Sequence, residues 1–175
     1  SQIVVAAQSI VSRSMDALDA AVVSICMFNA GEASNVIPES AELRGTVRTF
    51  APEVRGAVRT AMERFAQGIA EGHGCTSTFT YEEGYDSVVN DGEASALVEA
   101  AVREELGDDA FFVPPPIMGG EDFSAYLSVA PGAFFIVGAG GDDHYPHHHP
   151  RFDWDESAMR NGIAVFTRLA LDYLK

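Results

Sequence analysis

Apolar residues recur at Ile3, Ala7, Ile10 and Val11, the i, i+4, i+7, i+8 spacing that lines one face of an α-helix, and this predicts a first helix that fades between Ser12 and Met15. The period then changes. Ala21 to Phe28 is β-branched and apolar up to the break at Ala30-Gly31, while Ala41 to Phe50 sets Glu42, Arg44, Thr46 and Arg48 against Leu43 and Val47. Two such runs predict antiparallel neighbours with one polar face. Pro52 suits a first helical turn, and Val54, Val58, Met62, Phe65 and Ile69 carry a helical stripe until Gly72 and Gly74. Thr76 to Tyr81, rich in threonine, predicts a further strand. The order through Tyr81 is thus α-β-β-α-β, and one strand ahead of Ser1 would complete a ferredoxin-like βαββαβ unit.

Beyond Asn90-Asp91-Gly92 the pattern is that of an α/β segment. Asp91 can cap a helix whose face is Ala94, Leu97, Val98, Ala101 and Val102, with Gly107 just past its end. Pro114-Pro115-Pro116 makes a rigid connection, and the continuous apolar run Ala133 to Val137 predicts a strand buried on both faces. Asp155 can cap a last helix running through Ile163, Phe166, Leu169 and Leu174. The polar stretch between Tyr85 and Asp91 predicts a domain boundary, giving parts 1–85 and 86–175. Internal repeats and low-complexity tracts are absent.

Composition narrows the function classes. A chain of 175 residues with 47% hydrophobic content can bury an ordinary core, in one domain or two small ones. Its 26 acidic against 11 basic residues give a net charge of −15, which repels phosphate backbones and argues against nucleic acid as a partner. No apolar run approaches the roughly 20 residues of a membrane helix, and Ile3 to Val11 is too short and interrupted for a signal peptide. The expectation is a soluble, cytoplasmic protein with no membrane partner. Cys26 and Cys75 stand far apart with no CxxC spacing, so neither a disulfide framework nor a structural zinc site is expected; Cys26, inside an apolar run, is expected in the core. Ser1 opens directly on a helical pattern, so the chain reads as part of something longer.

Three clusters could carry chemistry. His144, His147, His148 and His149 fall in the loop between the Ala133 to Val137 run and the last helix. Imidazole is a common ligand for zinc-like ions, but adjacent histidines cannot all point at one ion, so one or two could ligate it. The plain reading is an exposed His-rich loop, or a histidine packed by Phe152. Met118-Gly119-Gly120-Glu121-Asp122-Phe123 sets two glycines before paired carboxylates at the opening of a short helix over Asp122 to Leu127. Backbone N–H groups there could hold an anion, and a carboxylate could orient a metal-bound histidine; the plain reading is acidic residues at the positive end of a helix dipole. Asn35, between the paired strands, and Arg48, on the polar face of the second, form a suitable clamp for a carboxylate, since a guanidinium fork bonds both oxygens. A turn asparagine and a surface arginine are the plain alternative.

Taken together and in order, Ile10-Val11-Ser12-Arg13, Ala30-Gly31-Glu32-Ala33-Ser34-Asn35-Val36-Ile37-Pro38, Gly45-Thr46-Val47-Arg48-Thr49-Phe50, Met118-Gly119-Gly120-Glu121-Asp122-Phe123 and His148-His149-Pro150-Arg151-Phe152-Asp153 resemble the peptidase M20 superfamily. The resemblance is to its amidohydrolase branch of hippurate hydrolases, indole-acetyl-amino-acid hydrolases and N-acetyl-diaminopimelate deacetylases. It implies an α/β catalytic domain holding two divalent ions per complete subunit, zinc or manganese, with an inserted ferredoxin-like lid that forms a homodimer interface. Residues 1–85 then correspond to the lid without its first strand, and 86–175 to the C-terminal part of the catalytic domain. By the same resemblance His148, two residues before Pro150, is a metal ligand. Asn35 and Arg48 hold the substrate carboxylate in a partner subunit's site, Gly119 and Gly120 lie beside the substrate, and Glu121 lines the metal region. The remaining ligands, the glutamate base and the lid histidine are expected ahead of Ser1, so no catalytic group is expected in this chain and its isolated activity is expected to be lost.

The implied reaction is hydrolysis of the amide bond of an N-acyl amino acid or a related small amide by metal-activated water. A di- or carboxypeptidase of the same superfamily is the alternative, because a carboxylate clamp suits both substrates. A non-catalytic dimerising or ligand-binding module is the alternative of another class.

Overall fold

In the computed structural model, which describes residues 1–141 and 143–175, five α-helices and a two-stranded antiparallel sheet divide the chain into two units. The first comprises Ser1–Ser87 with Met118–Gly120, and the second Val88–Ile117 with Glu121–Lys175.

In the first unit, helix α1 (Gln2–Ser9) runs into a π-helical turn at Ile10–Ser14. The Ser9 and Ser12 hydroxyls donate back to the Ala6 and Gln8 carbonyls at 2.7 and 3.0 Å, competing with the helical ladder where it loosens. Strands β1 (Ala21–Ala30) and β2 (Ala41–Thr49) pair antiparallel, as their patterns predict. The residues that alternate with the polar stripe of β2 face helix α2 (Pro52–Gly72): Ala21, Val23 and Val47 pack on a core of Ile10, Val54, Val58 and Ala61. Ile10 and Val58 are wholly buried. The register slips by one residue between Ile25 and Met27, so Cys26 forms a bulge. Cys26 is exposed there, not in the core, because the bulged residue faces neither layer.

Thr76 to Tyr81 alternates inward (Ser77, Phe79, Tyr81) and outward as a strand would, yet it is not a strand. A strand is a pairing, and among the described residues nothing offers this segment a ladder. Charge holds the chain just beyond it: Arg55 pairs with Glu83 at 3.3 Å and with Asp86 at 2.9 Å, and the Arg59 guanidinium stacks over the Tyr81 ring. Burial, with the Glu83 carboxylate adding to it, raises the Tyr81 pKa above its ordinary value. The Ser87 hydroxyl then donates to the Phe50 carbonyl at 2.8 Å, fastening the end of this stretch to the end of β2.

In the second unit, helix α3 (Gly92–Leu106) packs against helix α5 (Met159–Tyr173) through Val98, Ala101, Val102 and Val165, with Phe111, Ala133, Phe135 and Leu169 around them. Arg168 of α5 reaches Glu104 and Glu105 of α3 at 3.0 and 2.7 Å. Ile163, Phe166 and Leu174, expected on the buried face of α5, are exposed: the helix is apolar on more than one side, and α3 covers the side that carries Val165 and Leu169. The run Ala133 to Val137 is likewise neither a strand nor buried on both faces. Ala133, Phe135 and Val137 turn inward while Phe134 and Ile136 are exposed. In place of a partner strand, the Asn90 amide donates to the Phe134 carbonyl and accepts from its N–H, both at 2.8 Å, and the Asp91 N–H donates to the Gly132 carbonyl at 2.9 Å.

The Asp91 carboxylate also accepts from the Ala94 N–H at 2.9 Å, capping α3. Replacing Asp91 by alanine is expected to cost about 1 kcal/mol, the usual value of an N-cap, measurable as a lower urea midpoint with an unchanged slope. No helix among the described residues is long and apolar enough to cross a membrane.

Candidate functional site

The His-rich loop separates its histidines by local packing. His149 lies flat on Tyr145, with ring centroids 4.3 Å apart and planes within 9°, and its Nδ1 accepts from the Arg151 N–H at 3.0 Å. The Arg151 guanidinium lies over the Tyr145 ring, 5.9 Å from its centroid. His147 packs against Phe152, ring centroids 5.2 Å apart, which is the plain reading for that residue. His144 is half-buried beside Gly140, and its Nδ1 has no hydrogen-bond partner among the described residues.

His148 differs from its neighbours. It is exposed, and its φ of 67° puts it in the left-handed region, where it is the one non-glycine residue among those described. Such a conformation in an L-residue costs about 1 kcal/mol and persists where the flanking chain imposes it. Here the Tyr145-His149 and His147-Phe152 contacts fix both flanks. Replacing His148 by glycine is expected to leave the chain about 1 kcal/mol more stable than replacing it by alanine; equal unfolding midpoints for the two variants would contradict the strain.

Downstream, Asp155 accepts from the Ser157 side chain and N–H, which holds its carboxyl below the usual carboxylate range, and this caps the turn leading into α5. No group of three or more His, Cys, Asp or Glu among the described residues is placed to hold a metal ion. His148 offers a single imidazole where a zinc site takes three or four ligands, so the described residues do not complete a metal centre.

Glu121 is spent locally. Its Oε1 accepts from the Phe123 N–H at 3.1 Å, which removes one of the backbone donors expected to hold an anion. The helix behind it, α4 (Ser124–Leu127), is a single turn, shorter than the expected Asp122 to Leu127.

Arg48 and the glycine segment come together within the first unit. An Arg48 terminal nitrogen donates to the Met118 carbonyl at 2.9 Å, and the same nitrogen lies 3.4 Å from where a Cβ on Gly120 would stand. Sequence spacing gives no hint of this contact, which joins residues 70 positions apart. A carbonyl leaves the guanidinium charge uncompensated, and no carboxylate among the described residues pairs with it, although acids outnumber bases 26 to 11. An exposed, charged fork with donors to spare is equipped to bind an anion. Asn35 is exposed in the connection between β1 and β2 and makes no side-chain hydrogen bond among the described residues.

The sequence profile of peptidase family M20/M25/M40 matches residues 6–172. The chain belongs to that family. It is 42% identical to an N-acetylcysteine deacetylase of Bacillus subtilis, over 99% of this chain and 45% of the relative. Two solved structures match closely. One, from methicillin-resistant Staphylococcus aureus and described as an aminohydrolase candidate, gives a TM-score of 0.83 at 30% identity, covering 99% of this chain and 45% of that one. The other, a Bacillus subtilis protein described as a dinuclear metal-binding peptidase of the M20 family, gives 0.78 at 36% identity, covering 99% and 44%. The chain therefore spans under half the length of these family members.

Proposed function

We propose that the full-length protein is a metal-dependent amidohydrolase that cleaves the amide bond of N-acyl amino acids. The observation that carries this reading is an uncompensated guanidinium, Arg48, set over a glycine segment in a chain of the M20 family. The deacetylase relative favours an N-acyl amino acid as substrate. In this reading Arg48 and Asn35 bind the substrate's carboxylate, Gly119 and Gly120 give the ligand room to approach the backbone, and Glu121 stiffens the segment that follows. His148 is one ligand of a centre of two divalent ions, zinc or manganese, completed by residues outside this stretch. The ions would supply the acidified water and the polarised carbonyl; the residues of this chain supply recognition and orientation. Residues 1–85 belong, in the same reading, to a ferredoxin-like lid that pairs two subunits.

The test is hydrolysis of a panel of N-acetyl and N-aroyl amino acids by the full-length protein, before and after chelation and with zinc or manganese restored. The proposal expects turnover of the free acids, loss on chelation and recovery with metal. Preference for dipeptides would favour the peptidase alternative, in keeping with the peptidase described for one solved relative. Absence of any turnover with metal bound would favour a binding module.

A further inference from the structure

His148 stands third in a four-residue turn: the His149 N–H donates to the Pro146 carbonyl at 3.2 Å, and a second turn follows at once, from the Phe152 N–H to the His149 carbonyl at 2.9 Å. With φ at 67°, that third place is one that glycine or asparagine ordinarily takes. A glycine would make the same turn unstrained, so the turn itself gives no reason for an imidazole. Packing gives none either. His148 is exposed, while the rings on either side of it are engaged, His147 with Phe152 and His149 with Tyr145.

Around this turn three residues close a ring of contacts. Tyr145 lies parallel to His149, with 4.3 Å between centroids, and the His149 Nδ1 accepts from the Arg151 N–H at 3.0 Å. An Arg151 terminal nitrogen donates to the Tyr145 hydroxyl at 3.4 Å, which completes the circuit. The base of the loop is shut by the Asp155 N–H, which donates to the Ala139 carbonyl at 2.7 Å. These contacts cover no core, since Tyr145, His149 and Arg151 are all exposed. Their effect is local: the chain just after His148 is fastened to the chain three residues before it, and the turn cannot relax to negative φ without unstacking Tyr145 from His149.

We infer that Tyr145, His149 and Arg151 form a brace that holds His148 in its strained conformation and thereby positions its imidazole for the metal. Tyr145 is the central member, because its ring and hydroxyl touch both of the others. All three are positioning residues, acting through His148. This role rests on His148 being the metal ligand proposed above, and the tests keep the two apart.

In the full-length protein, zinc affinity is read by competition with a chromophoric chelator. Tyr145→Ala is expected to weaken the binding of one ion by about 10- to 100-fold, the range for residues that orient a ligand from behind. Tyr145→Phe keeps the stacked ring and is expected to stay near the wild-type affinity. His148→Ala, which removes the ligand itself, is expected to lose at least as much as Tyr145→Ala. Wild-type affinity in Tyr145→Ala, or an equal loss in Tyr145→Phe, would overturn the brace. If His148→Ala binds zinc as tightly as wild type, the ligand reading fails and the positioning role goes with it. A second measurement needs no metal. The unfolding midpoints of His148→Gly and His148→Ala, apart in the parent, are expected to converge in the Tyr145→Ala background, where the turn is free to relax. A separation that persists unchanged there means that Tyr145 does not impose the positive φ, and it overturns the brace whatever the metal affinities are.

Discussion

Replacing Gly45 by alanine is expected to destabilise the first unit by about 3 kcal/mol or more, the upper range of overpacking in a site that cannot relax. A Cβ at Gly45 would lie 2.1 Å from the Ser24 carbonyl oxygen, 3.0 Å from its carbon and 3.1 Å from the Ile25 Cα. All three are backbone atoms of the neighbouring strand, so no rotamer change gives room. Gly45 pairs with Ile25, immediately beside the bulge at Cys26. The alternative to the clash is to part the strands, which would also displace Arg48 three residues on. A matched control is Gly56→Ala in α2, where nothing lies within 4 Å of the added methyl. There the change removes unfolded-state freedom and is expected to stabilise by about 0.5–1 kcal/mol. Urea unfolding followed by circular dichroism reads both, and a Gly45→Ala chain as stable as the parent would refute the close approach of the strands.

The second large effect concerns activity. Arg48→Ala in the full-length protein is expected to lower kcat/KM for free-acid substrates by about 1.5–3 kcal/mol, the range for hydrogen bonds to a charged group, or roughly 10- to 150-fold. Most of the loss is expected in KM, since a carboxylate remote from the scissile bond binds similarly in the ground and transition states. Arg48→Lys should recover only part, because an ammonium restores the charge but not the planar fork. The decisive comparison uses the methyl ester of the same N-acyl amino acid: it lacks the charge Arg48 reads, so wild type and Arg48→Ala should handle it alike. If the variant loses equally on acid and ester, Arg48 is not a carboxylate clamp.

These expectations draw unequally on sequence and structure. The alternation of Glu42, Arg44, Thr46 and Arg48 with Leu43 and Val47 was enough to place β2 and to assign its polar face, because one side of a half-buried strand must be apolar whatever covers it. The stripe Val54, Val58, Phe65 announced α2, and Asp91 announced the start of α3, since capping is a local hydrogen bond between a side chain and the third residue on. The histidine loop was visible as a cluster, but its internal sorting was not. Which imidazole stacks on Tyr145, which on Phe152, and which is forced to positive φ depends on contacts the bare order of residues does not contain.

Thr76 to Tyr81 and Ala133 to Val137 show the opposite limit. Both read as strands by composition and both alternate in burial, but a ladder requires a second chain segment at hydrogen-bonding distance, and composition cannot supply one. Asn90 completing the backbone bonds of Phe134 is a tertiary solution with no local signature.

Short-range physics is legible in the order of residues: the helices with their caps, the antiparallel pair with its polar face, the acidic charge, and the motifs that mark the family. Three features emerge from the folded chain alone: Arg48 lies on the Met118–Gly120 segment 70 residues away, Gly45 must carry no side chain, and His148 alone of its cluster is held in a strained, exposed conformation. Each of those depends on where distant backbone passes, and periodicity along a chain carries no information about that.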